Sequence, residues 1–333
     1  MKKNLVIGLI ISGICVFFAV RGINFSEVAA SLKSASYGYL VPVIIVVVLG
    51  LYLRCYRWGI ILRSLASYDQ KTLFSIGSIG FMAVCVLPAR LGEFARPYLV
   101  KRKSGVRMSA TMATIIVERV FDLLALMLVL FAVLLKVSLP PEIFKAGITM
   151  LTISFSLFVV LIFLAVKKEF SLNTIERITI ALPPRIKQPL LRLAHSFIEG
   201  LQMLPDIKKT LYVGALSFVI WLVVGLSNYV LFFAFSFDLS LINAYAILVV
   251  VALGVMLPAA PGFVGTYHYA CVLGLTAFGI SKSAAFSYAV ALHFIQLVPV
   301  IMLGLIFLPL EHLSLAQVVA SEASEDDGNG QQG

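Results

Sequence analysis

Six long apolar stretches, at residues 4–20, 39–62, 109–135, 146–166, 210–236 and 284–308, alternate along the chain with short polar segments. A helix that crosses a bilayer needs about 20 mainly apolar residues, because the hydrocarbon core is ~30 Å thick and each residue rises ~1.5 Å. The pattern therefore predicts six transmembrane helices. The first run, seventeen residues after Lys2 and Lys3, exceeds the ~7–15 apolar residues of a cleaved signal peptide and is expected to stay as a span.

Two further apolar runs, 73–87 and 243–257, hold fifteen residues each, so as helices they reach only about 22 Å. Each ends at a proline, Pro88 or Pro258, with a glycine close behind. The pattern predicts re-entrant hairpins over about 73–100 and 243–278, in which one half-helix enters, breaks and a second returns to the same side. Backbone broken at membrane depth is tolerated only where protein or a wet cavity covers it. Pro88 and Gly92 mark the first break; Pro258, Pro261, Gly262 and Gly265 mark the second.

The breaks also share sequence. "LPARLGEF" at 87–94 and "LPAAPGFV" at 257–264 agree in Leu, Pro, Ala and Gly at an offset of 170 residues. Each break follows a short apolar run and precedes a long helix, which points to an internal repeat.

Composition agrees with this pattern. The chain is 61% hydrophobic and 13% charged, with a mean hydropathy of +1.03, against roughly 45–50% apolar residues in soluble domains. The expected fold class is an all-α polytopic membrane protein, with about six full spans and two re-entrant helical hairpins in inverted repeats. Residues 1–310 form one transmembrane domain, and 311–333 a disordered acidic cytoplasmic tail.

The net charge of +10 fits cytoplasmic loops and anionic lipid heads, not a nucleic-acid partner. With the amino terminus placed in the cytoplasm, twenty of the 26 Lys and Arg residues fall inside, five fall outside and Arg119 lies within a span. The positive-inside rule thus predicts cytoplasmic amino and carboxyl termini. The first hairpin then enters from the cytoplasm and the second from the outside, which makes the repeats inverted. Between the halves, in the cytoplasmic segment of about 170–205, Ile186, Leu190, Leu193, Phe197, Leu201 and Leu204 give a helix one apolar face, on the inner membrane surface or beneath the spans.

The charges inside this apolar chain are the candidate chemistry. Arg90, Glu93 and Arg96 follow the first break at spacings of three, so a helix puts them on one side. "ERVFD" places Glu118, Arg119 and Asp122 on one face near the start of the third span. A charge at the centre of a span costs at least ~2.5–3.5 kcal/mol, so these groups pair or line a wet cavity. Two readings follow. In one they form a structural ion-pair network. In the other Arg90, Arg96 and Arg119 present guanidinium forks to a lipid phosphate while Glu93, Glu118 and Asp122 form the surrounding polar network.

The second break carries no acid or base except His268. His293 and Gln296, three apart in the last span, join it as pathway candidates. Enzymatic chemistry is not expected. His195, His268, His293 and His312 lack metal-binding spacing, and no nucleophile elbow, phosphate loop or HExxH motif is present. The cysteines Cys15, Cys55, Cys85 and Cys271 are scattered singly in apolar runs. No catalytic residue, metal or cofactor is assigned.

"LPARLGEFARPYLV", "ERVFDLLAL" and "LPAAPGFVGTYHYA" together resemble the transmembrane region of the lysylphosphatidylglycerol synthase/flippase family, over about residues 1–310. That resemblance implies movement of aminoacylated phosphatidylglycerol or other lipid-linked head groups between leaflets. It maps by motif onto Arg90, Gly92, Glu93, Arg96, Glu118, Arg119 and Asp122, and more loosely onto Pro258, Pro261, Gly262 and Gly265. Two departures matter. The chain has a short acidic tail where bifunctional members carry an aminoacyl transferase domain, so lysyl transfer is not expected. Many relatives have "PGGLGxxE" at the second break, whereas this chain has "PGFVGTYHY".

The expectation is a lipid flippase or transporter of the bacterial inner membrane, acting on a membrane phospholipid or lipid-linked substrate. The alternative is a non-catalytic scaffold for a lipid or cell-envelope glycosyltransferase. A homo-oligomer or a partner membrane enzyme is compatible with either.

Overall fold

Alternation of long apolar runs with short polar ones produces thirteen α-helices among the described residues of a computed structural model. The structure describes residues 2–87, 92–137, 141–180, 182–257 and 259–311. Pro88, Arg90, Pro258, His312 and most of the acidic tail lie outside them.

In chain order the helices are α1 (Lys2–Val20), α2 (Phe25–Ser34), α3 (Leu40–Leu62), α4 (Gln70–Val86), α5 (Ala95–Ser104), α6 (Met108–Leu134), α7 (Pro141–Val166), α8 (Lys168–Ile178), α9 (Pro184–Gly200), α10 (Ile207–Ala234), α11 (Leu241–Gly254), α12 (Thr266–Ala277) and α13 (Lys282–Leu310). Helices occupy all six predicted long stretches. By length and apolarity, four are able to cross a membrane: 37–62, 147–166, 207–234 and 282–310. A fifth joins them if α1 and α2, bent by 83°, count as one. Helix α6 runs unbroken for 27 residues but carries three charges near its middle, Glu118, Arg119 and Asp122.

The two short apolar runs form α4, of 17 residues, and α11, of 14. Contacts at the two ends of the bundle define how they run. At one end Tyr68, just before α4, donates to Ser104 at the end of α5 over 2.7 Å, and Lys103 pairs with Glu311 after α13 at 2.7 Å. At the other end the Ser36 N–H donates to the Ala234 carbonyl at 2.8 Å, and Lys282 reaches the Phe18 and Arg21 carbonyls at 2.9 and 2.7 Å. The pair α4–α5 therefore leaves and returns to one end. The pair α11–α12, which follows α10 and precedes α13, does so at the other.

Packing repeats the same relation. Exchanging α3, α4, α5 and α6 for α10, α11, α12 and α13 preserves the neighbours: α4 packs on α13 as α11 does on α6, and α3 on α13 as α10 does on α6. Helices α3 and α10, which exchange with each other, pack together. The internal repeat seen in "LPARLGEF" and "LPAAPGFV" thus extends over two four-helix units.

Both breaks are seated by close backbone approach. A Cβ on Gly92 would lie 2.1 Å from the Ala83 carbonyl carbon and the Val84 nitrogen at the end of α4. Gly265, at φ +95°, would carry its Cβ 2.4 Å from the Ser12 carbonyl oxygen of α1. Only glycine fits such contacts. Ser12 also accepts from the Ala260 N–H at 2.7 Å, so α1 holds the second break in place.

The segment of about 170–205 holds two helices, α8 and α9, and α9 carries most of the predicted apolar positions. Its apolar face divides. Leu201 and Leu204 are buried, while Ile186, Leu190 and Leu193 are exposed. The end of α9 docks beneath α6, where Arg107 donates to Ser196 at 2.9 Å.

Candidate functional site

Arg57 lies near the end of α3, in the run "YLRCYRWG", and is fully buried. A buried guanidinium needs carboxylates and hydrogen bonds around it, since an unpaired buried charge is far more costly than a paired one. Both are supplied by α6. Arg57 Nη1 donates to Asp122 Oδ1 at 2.6 Å and Nη2 to Asp122 Oδ2 at 3.2 Å. Nη2 also donates to Glu118 Oε1 at 2.8 Å, and Nη1 to the Ser217 hydroxyl of α10 at 2.8 Å. Glu118 and Asp122 are one helical turn apart, which lets one arginine fork bridge them.

Glu118 uses its other oxygen for Arg96 of α5, whose Nη1 donates at 2.7 Å. The Arg96 guanidinium lies 5.0 Å from the ring centres of both Trp58 and Phe81, and Trp58 is held by its Nε1 donating to Thr114 at 3.1 Å. Asp122 Oδ1 accepts further from Trp221 Nε1 of α10 at 3.2 Å. Four helices and the end of the first break are thus joined through two acids.

The remaining charges are held loosely. Arg119 Nη1 lies 3.7 Å from Asp122 and its Nε 3.9 Å from Glu93; Arg54 Nη1 lies 3.8 Å from Asp122. These separations exceed hydrogen-bond reach, so the pairings are Coulombic only. Their side chains are 17% (Arg54), 34% (Arg119) and 26% (Glu93) exposed. All three, with Asp122, line a cavity of about 540 Å³ between the two four-helix units.

The opposite wall of the cavity comes from the second unit and holds Ser227, Asn228, Tyr267 and Gln296. Tyr267 donates to Gln296 Oε1 at 3.0 Å, and Gln296 Nε2 lies 3.5 Å from the Ser227 hydroxyl. His293 stacks on the Tyr267 ring with centres 4.4 Å apart, and its Nδ1 faces His268 Nε2 at 3.4 Å.

The structure redistributes the residues singled out from sequence. Glu118, Arg119 and Asp122 share one face of α6, and Glu93 of the first break meets them through Arg119. Arg96 joins this network, but its fork goes to Glu118 and it does not line the cavity. Gln296 faces the cavity, whereas His268 and His293 face each other. Arg90, Pro88 and Pro258 lie outside the described residues. Arg54 and Arg57 are the residues that sequence reasoning missed. The positive-inside count takes both as cytoplasmic charges although they fall in the apolar stretch 39–62; the signal was two arginines three apart, ahead of five more helical residues.

Comparison with known proteins finds membrane-protein relatives along most of the chain. Residues 5–304 match the family described as the lysylphosphatidylglycerol synthase TM region. A UPF0104 membrane protein of Methanothermobacter thermautotrophicus is 22% identical over 93% of this chain and 96% of its own length. Another, from Methanocaldococcus jannaschii, is 26% identical over 66% of this chain and 90% of its own. The glycosyltransferase AglD of Haloferax volcanii is 32% identical over 127 residues, which are 38% of this chain and 20% of that protein. No solved structure matches.

Proposed function

The chain belongs to the lysylphosphatidylglycerol synthase transmembrane-region family, and on that premise we propose that it moves a phospholipid or lipid-linked head group between the leaflets of the cell membrane. One observation carries this reading: the cavity between the two units is lined by Arg54 and Arg119, whose forks are beyond hydrogen-bond reach of the neighbouring acids. Arg57 and Arg96 satisfy the buried acids, so Arg54 and Arg119 retain donors for a phosphate.

In this mechanism six helices span the bilayer. The pairs α4–α5 and α11–α12 enter from opposite faces as re-entrant hairpins, with amino and carboxyl termini in the cytoplasm. The lipid phosphate sits against Arg54 and Arg119 near mid-depth. Rocking of one unit against the other opens the cavity to each leaflet in turn, as inverted repeats allow. The protein has no catalytic step of its own. Reconstituted vesicles carrying fluorescent phospholipids test this, because transport that is unchanged in a folded Arg54→Gln/Arg119→Gln variant rules out the phosphate role.

The match to a stretch of a glycosyltransferase favours a second reading, a membrane scaffold for such an enzyme. Stable copurification with a glycosyltransferase, together with absence of lipid transport, is the outcome that selects it.

A further inference from the structure

Building on the transport reading, we infer that the cavity selects a phospholipid whose head beyond the phosphate is neutral and hydroxylated, a glycerol or a sugar, and rejects heads that carry an ammonium group. The two units place different chemistry at matching positions. Arg96 and Tyr267 are each second in their helices, α5 and α12. Arg119 and His293 are both twelfth, and Asp122 and Gln296 both fifteenth, in α6 and α13. What is charged in the first unit is uncharged and hydrogen-bonding in the second.

Charge in the cavity and its network is unevenly spread. Four guanidinium groups, of Arg54, Arg57, Arg96 and Arg119, meet three carboxylates, of Glu93, Glu118 and Asp122. Among the described residues the surplus is one positive charge. On the cavity wall itself Arg54 and Arg119 meet Glu93 and Asp122. Asp122 is already taken up by both Nη atoms of Arg57, which leaves the uncommitted charge of that wall positive. An ammonium head needs a carboxylate or an aromatic face. The acids lining the cavity, Glu93 and Asp122, both lie beside Arg119. The Trp221 ring already carries the Arg54 guanidinium, 5.3 Å from its centre.

Two orphaned polar atoms give the same direction. Arg119 Nε is a buried donor and Asn228 Oδ1 a buried acceptor, each without a hydrogen-bond partner among the described residues. The Asn228 amide is fixed by Nδ2 donating to the Ala244 carbonyl at 3.2 Å, which commits Oδ1 to accepting. Buried groups of this kind call for a partner. A phosphate oxygen satisfies the first and a hydroxyl the second, and a hydroxylated phosphodiester carries both.

The test measures binding to the full chain in nanodiscs by native mass spectrometry. The probes are phosphatidylglycerol, phosphatidylethanolamine, lysylphosphatidylglycerol and water-soluble glycerophosphoglycerol. We expect at least tenfold preference for phosphatidylglycerol over the two ammonium lipids. Gln296→Glu, which places a carboxylate at the position of Asp122 in the other unit, should shift that ratio at least fivefold toward the ammonium heads. Tyr267→Phe should narrow it, and Arg119→Gln should weaken every lipid alike. Binding of the lipid alone, or of the soluble diester equally, supports the head-group chemistry and assigns its source to the membrane or to the aqueous phase. Equal or better binding of the ammonium lipids overturns this inference while the transport reading stands; no binding of any lipid overturns both.

Discussion

Arg57 and Asp122 are joined by two hydrogen bonds, Nη1 to Oδ1 at 2.6 Å and Nη2 to Oδ2 at 3.2 Å, fixing α3 against α6 with Arg57 wholly buried and Asp122 at the edge of the cavity. Breaking one side of such a pair strands the other. Arg57→Ala should therefore cost on the order of 3–5 kcal/mol, seen as a large drop in melting temperature in detergent or as loss of the monodisperse species. Arg119→Ala, at a partly exposed and loosely paired side chain, should cost no more than about 1 kcal/mol. Similar losses in the two variants would remove Arg57 from its structural role.

How much of this was legible beforehand follows from what determines each feature. Helix positions depend on apolar length, which the sequence displays directly. The network was legible on α6, because the one-turn spacing of Glu118 and Asp122 is a local property. Its principal cation was not, because Arg57 meets these acids through α3–α6 packing between residues 61 and 65 positions apart, and arginines near a span's end read equally well as interface charges. The His268–His293 contact was hidden for the same reason. Conversely, the repeat first glimpsed in four shared residues proved to extend over eight helices, since packing preserves what sequence drift erases.

Arg54 and Arg119 bear on function rather than folding. A charge-assisted hydrogen bond contributes roughly 1.5–3 kcal/mol, so losing one such contact to a phosphate weakens binding on the order of 10- to 100-fold. We expect Arg54→Gln and Arg119→Gln each to lower lipid affinity by that order with melting temperature little changed. A fluorescent-lipid titration beside a thermal melt checks it. Arg96→Gln should behave oppositely, with stability falling first, because its fork already belongs to Glu118.

Gly92 provides a test of the first break. A methyl group there meets backbone atoms of Ala83 and Val84 at 2.1 Å, and backbone does not yield as a flexible side chain does. Gly92→Ala should destabilise by more than about 2 kcal/mol, within the 1–3 kcal/mol or more of overpacking. Gly13→Ala, in exposed α1 with nothing within 4 Å of the added carbon, should be neutral or stabilising by up to about 1 kcal/mol from helix propensity. The paired melting temperatures separate a local clash from general intolerance to substitution.

The opposite returns of α4–α5 and α11–α12 give the topology a direct test. In a variant whose four native cysteines are replaced by serine or alanine, single cysteines at exposed positions report which face each helix end reaches. Lys101 and Lys208 belong to the end where Tyr68 meets Ser104, whereas Lys33 and Ala277 belong to the end where Ser36 meets Ala234. If the units are inverted across a bilayer, a membrane-impermeant maleimide added to intact cells labels Lys33→Cys and Ala277→Cys. Lys101→Cys and Lys208→Cys then react only after permeabilisation, as the positive-inside rule predicts for the basic end. Labelling of Lys101→Cys together with Ala277→Cys from outside would mean that the returning pairs open to the same face. The cavity would then have no inverted partner to alternate with, and the rocking mechanism would lose its structural basis.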